Sequence, residues 1–329
     1  MFRRPFRLAI PSTLALVLTS ILSVSGAFHW TPELSSALKN HAAAAPVIWE
    51  STLTFFNSAL ALLMTFDLRT NGRGASFLPP GNVAWIIAPL FQQTFTMAVM
   101  AYILPYAVLK WKIIGALVFG LAAFWSGRWA AYSTAAILLA EFAVAYAPLL
   151  SPSWTLRLFG RRITAVSHKF IPGFLLALGI TLKYLWASFP ERRDDELVAR
   201  VDPTSGGLEY SYDPLRATPR LDDFFVVSGF FVLLELSPTL RSIFDRTVLK
   251  FAGSLAYASL LVSGSVMLAL GSVLRHHLTT VVNTSEPVTL LVLFLTLIPA
   301  ALVASAAWRF SVDDGSIWIA RGLYRWVTR

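Results

Sequence analysis

The sequence predicts an all-α integral membrane protein, a polytopic bundle of about eight transmembrane helices. Three observations predict it. Hydrophobic residues make up 56% of the chain and charged residues only 14%, the apolar residues fall in runs near membrane-crossing length, and basic residues collect at alternate ends of those runs. With a mean hydropathy of +0.63, the chain has more apolar side chain than a water-soluble globule can bury, so the bilayer takes the place of water.

A spanning helix needs about 20 mostly apolar residues, because backbone polar groups in hydrocarbon are satisfied only within the helix. The first such run, Leu8 to Ala27, opens on Arg3, Arg4 and Arg7 and closes on Ser25-Gly26-Ala27, a pattern that also fits a cleaved signal peptide. The stretch from Val47 to Phe66 is interrupted by Glu50 and Asn57 and reads as an interfacial or re-entrant helix. The second span is Val83 to Tyr106. The third, Lys112 to Trp125, is short and forms a tight hairpin with the fourth, Trp129 to Leu149, through Ser126 and Gly127. The fifth runs from Phe170 to Ser188, the sixth from Phe224 to Leu240, the seventh from Ala252 to Leu274 and the eighth from Pro287 to Trp308. All lie in one transmembrane domain covering residues 1–329, with 189–223 a non-cytosolic loop inside it. Pro203, Gly206, Gly207 and Pro214 mark that loop as irregular and water-exposed.

Charge sets the orientation. With the N-terminus in the cytosol, the inner segments carry Arg3, Arg4 and Arg7; Lys110 and Lys112; Arg157, Arg161, Arg162 and Lys169; Arg241, Arg246 and Lys250; and Arg309, Arg321, Arg325 and Arg329. These are 16 of the 27 basic residues, whereas nine of the 18 acids fall in the outer loop 189–223, so alternate loops obey the positive-inside rule. The sequon Asn283-Thr284-Ser285 falls on the outer side, where Asn283 is a candidate glycosylation site. The formal charge of +9 is therefore topological, and with the arginines spread over loop ends it argues against a nucleic-acid partner. Cysteine is absent and the five histidines are scattered, which removes thiolate sites and suggests no metal centre. His276 and His277 are adjacent and share no helix face. His168 reads as a solvated loop residue beside Lys169.

Polar side chains inside a span are costly and each needs a reason. On the second span Trp85, Pro89, Gln92 and Thr96 share one helix face, with Gln93 and Thr94 beside them. Two readings stand: interhelical hydrogen bonds that brace the bundle, or a substrate-facing stripe. Glu141 and Glu235 lie toward the inner ends of the fourth and sixth spans, where carboxylates protonate, take up arginines from the inner loops, or bind a cation. Lys183, near the outer end of the fifth span, snorkels and is not their partner. The chain carries no phosphate-binding glycine loop, no nucleophile elbow and no zinc-protease helix.

In the order of its features the chain resembles the acyltransferase 3 family of integral membrane O-acyltransferases, in its fungal form. Arg3-Arg4-Pro5-Phe6-Arg7-Leu8-Ala9-Ile10-Pro11 resembles the basic motif after that family's second helix. The run Asn82-Val83-Ala84-Trp85 through Phe91-Gln92-Gln93-Thr94 resembles its tryptophan-led segment, Leu249 through Tyr257 the start of its penultimate helix, and Val312-Asp313 with Ala320-Arg321 its tail. The resemblance implies a chain lacking the first two helices of a ten-helix core, and with them the family's catalytic histidine. Leu90 and Gln92 stand where a glutamate and an arginine are usual, so no residue inherits a catalytic role. It further implies a multi-pass protein of the endoplasmic reticulum, Golgi or plasma membrane, serving O-acyl transfer to a specialised metabolite, glycan or lipid. An acyl thioester would be the donor, and no bound cofactor is expected. The competing reading is a transport, binding or accessory protein without enzymatic activity.

Overall fold

The computed structural model of the chain describes residues 3–38, 46, 49–64, 78, 86–146, 153–158, 161–192, 195–200, 207 and 219–327. The helices are α1 (Arg3–Val24), α2 (Thr31–Leu38), α3 (Thr52–Met64), α4 (Ile87–Ile103), α5 (Leu109–Trp125), α6 (Ala130–Glu141), α7 (Phe170–Ser188), α8 (Asp195–Val198), α9 (Leu221–Leu236), α10 (Pro238–Phe244), α11 (Thr247–Thr280), α12 (Glu286–Trp308) and α13 (Asp314–Val327). Between α6 and α7, β1 (Ser153–Leu158) and β2 (Arg161–Ser167) form an antiparallel hairpin that pairs Ser153 with Ser167 and Leu158 with Arg161.

Among the described residues five helical runs are long and apolar enough to cross a membrane: Arg4–Val24, Ile87–Tyr106, Phe170–Ser188, Thr247–Thr280 and Glu286–Trp326. The count becomes six if α9 and α10 form one span, not the eight expected. The sixth expected span is interrupted because Pro238 holds Ser237 extended (φ −118°, ψ 100°) and restarts the chain as α10, bent by 104°. The third and fourth fall short because α5 has 17 residues and α6 has 12 before a π-helical turn at Phe142–Tyr146. Likewise α3, with 13 residues, is shorter than a crossing helix.

The chain divides into two compact units: residues 1–94 with 251–329, and residues 95–250. In the first, α11 buries Ala258, Leu261, Val262, Ser265, Leu268 and Ser272, a stripe at helical spacing. Leu16 of α1, Leu62 of α3 and Ile87 of α4 close on Leu261 to form the core. Leu34 of α2 packs with Leu268 of α11 and with Leu293 and Leu297 of α12. Polar pairs fix the register of α1 on α11, with Thr19 Oγ1 3.3 Å from Ser265 Oγ and Ser12 Oγ 2.6 Å from the Tyr257 hydroxyl. The run Ser25-Gly26-Ala27, which matches a signal-peptidase site, forms the Schellman cap of α1. Gly26 takes φ +77°, and the Gly26 and Ala27 N–H groups bond to the Ser23 and Leu22 carbonyls.

The second unit is built on α7 and α9, which approach until backbone meets backbone at Gly179 and Gly229. The α5–α6 hairpin turns as expected through Ser126 and Gly127. Gly127 (φ +65°) supplies the left-handed residue, and Arg128 N–H bonds to Ala123 O at 2.8 Å. The hairpin tip meets the start of α9, where Tyr132 donates to the Arg220 carbonyl at 3.1 Å and its ring lies edge-on to Phe224. Part of the loop expected to be irregular and water-exposed is ordered and inward-facing among its described residues. Arg200 is buried over the Phe124 ring and bonds to Glu196 at 2.5 Å, while Glu196 accepts the Leu221 N–H at 2.9 Å at the start of α9. A charge brought in beside a partner and an aromatic face tolerates burial that a lone charge would not.

Candidate anion-binding cavity

Within the first unit a cavity of about 660 Å³ is walled by four helices distant in sequence. The first turns of α1 supply Arg4, Arg7 and Leu8, α4 supplies Leu90, and α11 supplies Tyr257. From α13 come Ile317, Ala320 and Arg321. Helix α13 packs against α1, and its small residues Ser316 and Ala320 are fully buried. The same helix thereby carries Arg321 to the rim that Arg4 and Arg7 already occupy.

The wall of the cavity is rigid at Tyr257. Its hydroxyl lies 2.8 Å from Leu8 O and 2.6 Å from Ser12 Oγ, and Ser12 Oγ lies 2.7 Å from Leu8 O. Three oxygens thus share two hydroxyl protons, which holds α1 against α11 beside the arginines. Close by, Arg309 donates to Ser254 Oγ. Asp313, buried in the π-helical turn before α13, has Oδ1 without a hydrogen-bond partner among the described residues, and Arg7 and Arg309 act on its charge. Arg4, Arg7 and Arg321 are exposed, so their donors are available. A guanidinium offers a planar fork of N–H groups that matches phosphate or carboxylate in pairs, and three at one rim form an anion-binding arrangement.

The residues singled out from the sequence do not line this cavity. Gln92, on α4, donates its amide to the carbonyl of Met64 at 2.7 Å, satisfying an orphan acceptor at the C-terminus of α3. Gln93 is half-buried and engaged, and Thr94 bonds to Leu90 O at 2.9 Å. Thr96 is half-buried on the part of α4 that belongs to the second unit, while Trp85 lies outside the described residues. Glu141 pairs with Lys112 at 3.4 Å, closing the base of the α5–α6 hairpin, and Glu235 pairs with Arg241. Glu235 thus takes up an arginine, as the sequence allowed, whereas the partner of Glu141 is a lysine. Lys183 binds Asp223 at 2.5 Å and Asp222 at 3.4 Å. His276 stacks on Trp30 with ring centroids 3.5 Å apart and meets Glu33 at 3.2 Å. Among the described residues no group of three histidines or carboxylates is placed to hold a metal ion.

The sequence does not show the cavity as a cluster, although each segment that forms it is conspicuous there. Arg4 and Arg7, Leu90, Tyr257 and Arg321 all lie within the four stretches quoted for the acyltransferase resemblance. What the chain could not reveal is their convergence, since Ser12 and Tyr257 are 245 positions apart. No family model matches the chain, and neither a curated protein nor a solved structure does.

Proposed function

We propose that this is an acyltransferase-like membrane protein whose arginine-rimmed cavity receives the phosphates of an acyl thioester such as an acyl-coenzyme A. The acyl group would pass to a hydroxyl of a small-molecule, glycan or lipid acceptor. One observation carries the reading: Arg4, Arg7 and Arg321 share a cavity with Tyr257, and these four come from three of the separate segments that resemble one acyltransferase family. Helices of spanning length beside the cavity give a long acyl chain an apolar environment.

The charge pattern supports a cytosolic position for Arg4, Arg7 and Arg321, because the N-terminal arginines and the basic loops after α6 and α10 fall on one side, whereas Leu90, in the first turn of α4, belongs to the end of its span that the same pattern puts outside. That sidedness survives the shortness of α5 and α6. A hairpin that crosses twice and one that re-enters and returns leave every later loop on the same side.

Purified protein titrated with coenzyme A tests the donor site. Binding is expected to weaken about tenfold for each of Arg4→Gln and Arg321→Gln at low ionic strength, and further as salt rises. Incubation with a radiolabelled acyl thioester and hydroxylated acceptors then tests transfer. Binding without transfer would favour the accessory reading; unchanged binding in the double variant would overturn the assignment of the cavity.

A further inference from the structure

The run from Glu286 to Trp326 is 41 residues of continuous helix, about 60 Å at 1.5 Å per residue. A bilayer's hydrocarbon is only about 30 Å thick. The apolar portion, α12, accounts for 23 residues, so α13 lies beyond the hydrocarbon, at the headgroups or in water. Its surface divides into three stripes. Ser316 and Ala320 are buried, in line with Asp313 of the turn before the helix. Ile319, Leu323 and Trp326, at i, i+4 and i+7, form an exposed apolar stripe, with Trp326 79% exposed. Asp314, Arg321 and Arg325, at i, i+7 and i+11, form an exposed stripe with a net positive charge, into which Trp318, at i+4 and 76% exposed, also projects.

An apolar stripe ending in tryptophan beside paired arginines is unfavourable in water and fitted to the boundary between acyl chains and headgroups. We infer that α13 is an interfacial anchor that inserts Ile319, Leu323 and Trp326 into one leaflet and recruits anionic phospholipid to Arg321 and Arg325. The phosphates of an acidic headgroup complement the arginines, and a bilayer is already present at this end of α12. Arg321 also rims the cavity that would take the acyl thioester, and Arg325, which does not line it, distinguishes headgroup recruitment from donor binding.

The absence of cysteine makes the test direct. The full chain, carrying Ile319→Cys, Trp326→Cys or Arg325→Cys with a spin label, is placed in nanodiscs of phosphatidylcholine with or without phosphatidylglycerol. Oxygen should broaden the signal severalfold more than a nickel chelate at 319 and 326, and the order should reverse at 325. Ser316→Cys should resist maleimide, which checks that α13 remains docked. A fluorophore at Trp326→Cys should be quenched more by spin-labelled phosphatidylglycerol than by spin-labelled phosphatidylcholine. The preference should be about fivefold per arginine at low ionic strength, and it should fall in Arg325→Gln and at about 0.5 M salt. Water exposure at 319 and 326 would overturn the anchor, as would shielding from both reagents, which would mean that protein covers the stripe. Lipid exposure without preference for the anionic lipid would overturn the recruitment.

Discussion

Replacing Gly179 by alanine places a methyl group where no space exists. A Cβ there would lie 2.7 Å from Val226 N and 2.8 Å from Asp222 O, and at Gly229 it would lie 2.7 Å from Leu176 N and 2.8 Å from Pro172 O. All four atoms are backbone and cannot rotate aside. Ordinary contact begins near 3.4 Å, so α7 and α9 must part by about 0.7 Å along their closest seam. Overpacking of this kind costs about 1–3 kcal/mol, opposed by about 1 kcal/mol from the better helix propensity of alanine. Gly173, on the same helix with nothing within 4 Å of its built Cβ, isolates the second contribution. Gly179→Ala should therefore be less stable than Gly173→Ala by about 1–3 kcal/mol, read by reversible unfolding in bicelles. Gly179→Ala with Gly229→Ala should cost less than the sum of the two, because the first separation makes room for the second. Equal stability of Gly179→Ala and Gly173→Ala would refute the close approach of α7 and α9.

Gln92→Leu removes the donor to Met64 O and should cost only about 0.6 kcal/mol in detergent melting, as a bracing contact does. Loss of function at unchanged stability would instead assign Gln92 to a substrate path. Asn283, exposed in the connector between α11 and α12 with φ 56°, is the expected position of any N-glycan. Glycosidase-sensitive mass persisting in Asn283→Gln would contradict that. Reporter tags at Met1, in the loop between Arg157 and Lys169, and at Arg329 should be cytosolic, and a tag at Gly206 should be on the other side. A cytosolic Gly206 tag would invert the orientation.

Composition and run length determined the solvent and the class of fold, because apolar excess and backbone satisfaction in lipid leave a helical bundle as the outcome. Individual stops were also local and therefore legible, as with the Ser126-Gly127 turn, where glycine meets the left-handed geometry of a helix cap. Pro238 was equally local, and a run read by hydropathy alone passed through it, although the missing N–H ends α9 two residues earlier. The partners of polar residues were not legible. Gln92 was visible as a costly amide, but its acceptor, the carbonyl of Met64, belongs to a short helix 28 positions away. Glu141 and Lys112 were each conspicuous, yet their pairing depends on the closing of the α5–α6 hairpin. The arginine-rimmed cavity lies furthest from what sequence alone specifies. Arg4, Tyr257 and Arg321 become neighbours only because Ser12 bonds to Tyr257 and because α13 packs against α1. Side-chain chemistry is written residue by residue, whereas a site is made by packing between segments that the chain keeps far apart.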